Sequence, residues 1–222
     1  MDEMKILKIK ESVYEGNDKR AAEIRKELKR GKKFLLNIMS SPGSGKTSTI
    51  IRTIELMKSD LRIGVMEADI DSDVDAKAVQ AAGAKAIQIH TGGMCHLKAD
   101  MTKEGLDALG TEDLDLIILE NIGNLLCPAE FDTGAVKNAM ILSVPEGDDK
   151  PLKYPHMFSM VDVLLVSKID MLQHFDFDME VLIERVRKLN ENVRIIPVSA
   201  RTGEGIEEFG GWLKEEVTIW QA

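Results

Sequence analysis

Cysteine is scarce in this 222-residue chain: Cys95 and Cys127 are the whole supply. That excludes a disulfide-stapled scaffold and leaves two thiols that a reducing compartment keeps unpaired. Positive charge is short as well. There are 29 Lys and Arg against 38 Asp and Glu, a net charge of −9, and no basic tail, so electrostatics disfavours a duplex or single-stranded nucleic-acid partner. No apolar run reaches the roughly 18 residues that a membrane span needs. The opening Met1-Asp-Glu-Met-Lys5 is charged and carries no signal-peptide pattern. The expectation is a cytoplasmic protein with no membrane partner. Also missing are an internal repeat, a low-complexity linker and the arginine-rich lid of a small-molecule kinase. What remains is one domain, residues 1–222, with enough length for a substantial core. Within it, residues 1–32 form a charged N-terminal extension. Asp18–Arg30 reads as a helix with Ala22, Ile24 and Leu28 on one side, ended by Gly31 and covering the sheet edge.

The stretch that organises the chain is Phe34–Ile50. An apolar run, Phe34–Met39, has the composition of a buried strand, and Ser40-Ser-Pro-Gly-Ser-Gly-Lys-Thr47 and a helical pattern follow it. Strand, glycine-containing loop, Lys-Thr and helix make the phosphate-loop arrangement. Gly43 and Gly45 let successive N–H groups turn inward where a Cβ would intrude. Lys46 brings charge to the β- and γ-phosphates, Thr47 a hydroxyl to Mg²⁺, and the helix start its dipole. Pro42, Gly43, Ser44, Gly45, Lys46, Thr47 and Ser48 are therefore the candidate phosphate-binding residues. Ser40 stands where the usual pattern has Gly.

Further strands are expected at 62–67, 85–90, 114–120, 138–145, 161–167 and 193–198. Helices are expected to about Met57, at about 98–109 and 178–189, and to about Trp220, with 146–155 an exposed polar loop. Strands alternating with helices predict an α/β, three-layer P-loop NTPase fold with a mostly parallel central sheet flanked by helices, its ligands at the carboxyl ends of the strands. Asp69, Asp71, Asp73 and Asp75 follow the second strand. They lack the Gly and terminal Glu of an EF-hand and read instead as a switch region, with Asp69 and Asp75 the candidates to reach Mg²⁺. The strand Leu114–Glu120 ends in the second Mg²⁺-side carboxylate, Glu120, and Gly123 is placed for its N–H to sense the γ-phosphate.

Two later motifs choose the base. Asp170, two residues after Lys168, can accept from both the ring N–H and the exocyclic amine of guanine, a donor pair that adenine lacks. Lys168 can pack over the ring, and Ser199-Ala200-Arg201 offers a backbone N–H to O6. These segments resemble the Asn-Lys-x-Asp and Ser-Ala-Lys loops of GTPases, with Ser167 for the Asn and Arg201 for the last Lys. No water-orienting Gln stands between Asp69 and Asp75, so turnover should be slow. Lys153, in the exposed loop, is a candidate to assist catalysis across a dimer interface or else a solvated lysine.

Cys95, His96 and Cys127 suit a soft or borderline ion such as Zn²⁺ or Ni²⁺, or else are two buried thiols and a surface imidazole. Ser-Ser-Pro-Gly-Ser-Gly-Lys-Thr, Glu-Ala-Asp, Ile-Gln-Ile-His-Thr-Gly-Gly-Met-Cys-His-Leu, Glu-Asn-Ile-Gly-Asn-Leu-Leu-Cys-Pro and Ser-Lys-Ile-Asp together resemble the HypB family, SIMIBI-class GTPases of [NiFe]-hydrogenase maturation, from Leu35 to Leu213. The resemblance implies GTP, Mg²⁺ and Ni²⁺ or Zn²⁺ as cofactors. It also implies a Cys95, His96, Cys127 metal site at a homodimer interface, a HypA-type nickel chaperone as partner, and delivery to the hydrogenase large-subunit precursor. Residues 1–32 hold no Cys or His, so the nickel-storing N-terminal motifs of some members are absent there. Rival expectations are a UreG-like nickel GTPase for urease, which would keep Cys-Pro-His together, a small-molecule kinase, and a non-hydrolysing GTP switch.

Overall fold

The computed structural model describes residues 9–69 and 74–222. In chain order the elements are α1 Ile9–Gly31, β1 Phe34–Ser40, α2 Lys46–Met57, β2 Ile63–Asp69, α3 Val74–Ala82, β3 Lys85–His90 and α4 Ala99–Leu109. They continue as β4 Leu116–Gly123, β5 Lys137–Ser143, α5 Lys150–Lys153, α6 Pro155–Ser159, β6 Val163–Ser167, α7 Met179–Leu189, β7 Arg194–Pro197 and α8 Ile206–Gln221. The seven strands form one sheet in the order β3-β2-β4-β1-β5-β6-β7. Every pairing is parallel, so the expected mostly parallel sheet is wholly parallel among the described residues.

Parallel strands need crossovers, and the crossover helices cover both faces, which is why the inner strands read as unbroken apolar runs. β1 is buried at all seven positions. On one face Leu36, Ile38, Val65 and Ile118 pack against Ile50 and Ile54 of α2, Val79 of α3, and Phe209 and Leu213 of α8. The other face has two clusters. Leu35, Met66, Ile117 and Leu119 meet α1 and α4, while Met140, Leu142, Leu164 and Val166 meet Met157 and Phe158 of α6 and Leu182 and Val186 of α7. β1 lies between β4 and β5, so the loops leaving β1, β2 and β4 open at one end of the sheet, where the strand order reverses.

Several expectations are corrected. The helix expected from Asp18 already runs from Ile9, the first described residue. The buried Asn17 side chain, just before the expected start, has tertiary partners that keep it inside the helix. Its buried stripe is Ala21, Ile24 and Leu28, with Ala22 exposed. The stripe lies on the sheet face rather than at an edge, the edge strands being β3 and β7. β4 continues through Asn121 and Ile122 to Gly123. Asn121 is polar but buried, donating from Nδ2 to Asn37 Oδ1 (3.0 Å), while Asn37 donates to Asn138 Oδ1 (2.9 Å). β5 stops at Ser143, where Glu146 closes a capping box. The predicted loop 146–155 is a turn followed by α5 and α6, anchored by Asp148 to Arg185 and by buried Pro151.

Candidate functional site

The loop from Ser41 to Gly45 joins β1 to α2, and Gly43 (φ 73°) and Gly45 (φ 95°) take the left-handed conformations that a Cβ would strain. Ser40, where a Gly is usual, has its hydroxyl built into the loop. It donates to Ser41 O (2.8 Å) and accepts from Ser44 Oγ (2.6 Å) and from Lys46 Nζ (2.9 Å). The Cα of Gly123 pairs with that of Ser40, and a Cβ on Gly123 would fall 2.9 Å from Pro42 N. The end of β4 thus abuts the phosphate loop.

A cavity of about 570 Å³ opens here, lined by Pro42, Gly43, Gly45, Lys46, Thr47 and Ser48 of the loop and helix start, by Glu67 and Ala68 of β2, by Glu120–Gly123 of β4, and by Lys168. Thr47 Oγ1 donates to Glu120 Oε1 (2.9 Å). Glu67 and Glu120 are register partners on adjacent strands, 3% and 7% exposed. A hydroxyl and two carboxylates converging on one cavity form an all-oxygen donor set, which suits a hard cation such as Mg²⁺. Asp69 ends β2 and Asp75 lies in the first turn of α3, but their side chains and residues 70–73, with Asp71 and Asp73, fall outside the described set. Glu67 stands outside the sequence-based expectation, which rests on the acids that follow it. The available signal was an acid inside an otherwise apolar strand.

Ser167 ends β6, and Lys168 follows at φ 60°. Both hold the phosphate loop from behind. Ser167 Oγ donates to Ser44 O (2.6 Å) and Lys168 Nζ to Gly43 O (2.7 Å). Ser167, where the GTPase pattern has Asn, thus ties the end of β6 to the phosphate loop. Asp170 Oδ1 accepts from Ser199 Oγ (2.7 Å), and Arg201 Nη1 lies 3.8 Å from Asp170 Oδ2. Thr202 N donates to Ser199 Oγ and Arg52 Nε to Ala200 O. The two predicted base-reading segments thus meet, although Asp170, Ser199, Ala200 and Arg201 do not line the cavity. Lys153 lies in α5, exposed, paired with Asp149 (2.5 Å).

Cys95, His96 and Cys127 converge, with one ligand atom from each within 4.8 Å of the others. Cys95 Sγ is 3.7 Å from His96 Nδ1. A hydrogen bond with the Cys127 thiol, then burial, raises the Cys95 thiol above its ordinary pKa, while burial and then Lys98 lower that of His96. The imidazole is thus held in its neutral, ligating form, and a metal would displace thiol protons. Two sulfurs and one nitrogen fit a borderline ion and, among the described residues, leave a tetrahedron one ligand short. Asn124 joins the two segments: its Oδ1 accepts from Leu126 N (2.8 Å) and Cys127 N (3.4 Å), and its Nδ2 donates to Cys95 O (3.5 Å).

Residues 34–197 match the CobW/HypB/UreG nucleotide-binding domain. The chain is 44% identical to hydrogenase maturation factor HypB of Azotobacter vinelandii, over 97% of this chain and 71% of that one. It is 39% identical to hydrogenase/urease maturation factor HypB of Helicobacter pylori strain J99, over 96% and 88%. The crystal structure of H. pylori HypB in complex with nickel superposes with a TM-score of 0.87 at 39% identity, covering 93% of this chain and 98% of that one.

Proposed function

Because the chain belongs to the HypB family of CobW/HypB/UreG nucleotide-binding proteins, we propose that it is a GTP-hydrolysing nickel metallochaperone serving [NiFe]-hydrogenase maturation. One observation carries this reading: the thiol–imidazole cluster includes Cys127, four residues beyond the strand end that packs on the phosphate loop.

Backbone N–H groups of residues 43–48 and Lys46 hold the phosphates, and Asp170 with Ser199–Arg201 selects guanine. Thr47 and Glu120, with Glu67 beside them and Asp69 or Asp75 as further candidates, hold Mg²⁺, which supplies charge neutralisation at the β- and γ-phosphates. The Gly123 N–H senses the γ-phosphate. Its loss on hydrolysis disturbs the loop that carries Cys127 and so weakens the grip on nickel, the cargo. Such coupling requires different metal affinities in the two nucleotide states. The missing fourth ligand and the exposed Leu126 beside Cys127 support a GTP-closed homodimer with the metal at its interface. Lys153 is placed in that reading as the residue that reaches the partner's nucleotide. A HypA-type chaperone loads the site and the hydrogenase large-subunit precursor receives the ion. The H. pylori relative's name includes urease, which makes urease maturation the second reading of the destination.

The decisive experiment measures nickel and zinc affinity, molecular mass and single-turnover phosphate release with GTP, a GTP analogue and GDP. Dimer formation and tighter metal binding with the analogue, together with phosphate release, support the proposal. Equal metal affinity in both states rejects the coupling, and absence of phosphate release leaves a GTP-controlled binding module.

A further inference from the structure

Helix α1 reaches the Cys/His cluster through a short file of aromatic rings. Phe131, four residues past Cys127, stacks on His96 with centroids 4.0 Å apart and planes within 6° of parallel. Tyr14 of α1 stacks on the same Phe131 at 5.1 Å, and its hydroxyl donates to Glu130 Oε2 (2.9 Å). Lys98 Nζ stands 5.6 Å from the Phe131 centroid. One turn along α1, the buried Asn17 clips both ligand-bearing segments by their backbones. Its Nδ2 donates to Asp132 O (2.8 Å), and its Oδ1 accepts from Ala99 N (2.9 Å).

The imidazole therefore has a fixed plane before any ion arrives. Its Nδ1 faces Cys95 Sγ at 3.7 Å, and its Nε2 is buried without a hydrogen-bond partner. A metal-bound His ordinarily donates its second N–H to an acceptor that orients the ring. Among the described residues no such acceptor is present, so ring stacking supplies the orientation.

We propose that Phe131, backed by Tyr14 and Asn17 of α1, is the positioning residue that holds His96 for metal capture through Nδ1. This rests on the reading of Cys95, His96 and Cys127 as a metal site. It adds that α1, far away in sequence, sets that site's affinity. Loss of an orienting neighbour typically costs ten- to a hundredfold in metal affinity.

The test uses the full chain with Phe131→Leu, Phe131→Tyr, Tyr14→Leu and Asn17→Ala, titrated with Ni²⁺ by thiolate-to-nickel absorption and with Zn²⁺ by ¹⁵N imidazole NMR. Binding of a fluorescent GTP analogue reports on the rest of the fold. Phe131→Leu should weaken Ni²⁺ binding about tenfold or more and broaden or split the His96 resonance. Phe131→Tyr should restore both, Tyr14→Leu and Asn17→Ala should lose several-fold, and GTP-analogue affinity should stay as in the parent chain. Should Phe131→Leu fail to fold, Tyr14→Leu, which alters a partly exposed ring, decides. Parent-like Ni²⁺ affinity and an unchanged His96 signal in the folded variants overturn the inference while leaving the metal site intact. A parent chain that binds neither ion, or binds them equally after Cys95→Ser, refutes the metal site itself.

Discussion

In the proposed function a single carboxylate, Asp170, carries the selectivity for guanine. It sits where Ser199 Oγ and Arg201 hold it in place, and guanine offers two donors where adenine offers none in that arrangement. An amide presents a donor to one of them. Asp170→Asn should therefore lower the preference for GTP over ATP by at least about tenfold, since a site built for a polar partner discriminates by the groups it would leave unpaired. It should also improve competition by xanthosine triphosphate, whose C2 carbonyl accepts. Unchanged ratios in a competition titration would refute the assignment. Asp115 illustrates a structural role instead. Arg62 holds its carboxyl below the usual value, first by side-chain hydrogen bonds and then, against the burial that opposes it, by a backbone N–H and by charge. A lowered folded pKa means a contribution fully present above the unfolded value, about 3.9, and lost as pH falls through and below it. Asp115→Asn should be less stable than the parent at pH 7, with the gap narrowing as pH falls below the unfolded value, as read from denaturation midpoints. At this scale the sequence spoke clearly where chemistry came with spacing, as in Lys46-Thr47 or Lys168-x-Asp170. Glu67 stayed hidden because the strand register that sets it beside Glu120 is a tertiary fact.

Secondary elements were legible where one periodicity dominated. The seven strands and helices α2, α4, α7 and α8 fall close to their expected spans, most cleanly where burial on both sheet faces writes continuous hydrophobic runs, as in β1 and β6. Errors arose where a polar group is paid for inside the fold. Asn17 sits within α1, Asn121 extends β4, and Asp148 ties the turn after β5 to α7. Those side chains look like breakers until their partners are known. The turn into α8 offers a test at the same scale. Gly205 has φ 74°, and a Cβ there would lie 1.9 Å from Pro197 O. Backbone against backbone cannot yield cheaply, so Gly205→Ala should cost roughly 2–4 kcal/mol by chemical denaturation. The same shift should loosen the Ser199–Glu204 loop, which closes through Ser199 N and Glu204 O, and weaken GTP binding with it. A fully stable variant would mean that the turn re-forms with another geometry.

Across the whole molecule, the parallel three-layer architecture followed from alternation alone, while the strand order did not, because nothing local says that β4 inserts between β2 and β1. That insertion brings Cys127 to Cys95 across the strand ends; residue chemistry and family resemblance grouped them, whereas their separation of 32 positions alone did not. Between Gly123 and Cys127 the chain has four peptide steps, at most about 14 Å fully drawn out, and the turn closed by Asn124 shortens even that reach. Inserting two glycines after Asn124 should leave nucleotide and nickel each bound nearly as before while erasing the difference in nickel affinity between GTP-analogue and GDP forms, measured as a coupling free energy. Persistence of that difference would mean the message travels by another route. In the proposed coupling, so brief a tether leaves only three residues, one of them the Asn124 that ties the turn, in which a shift at the phosphate end could be absorbed before it reaches the thiolate.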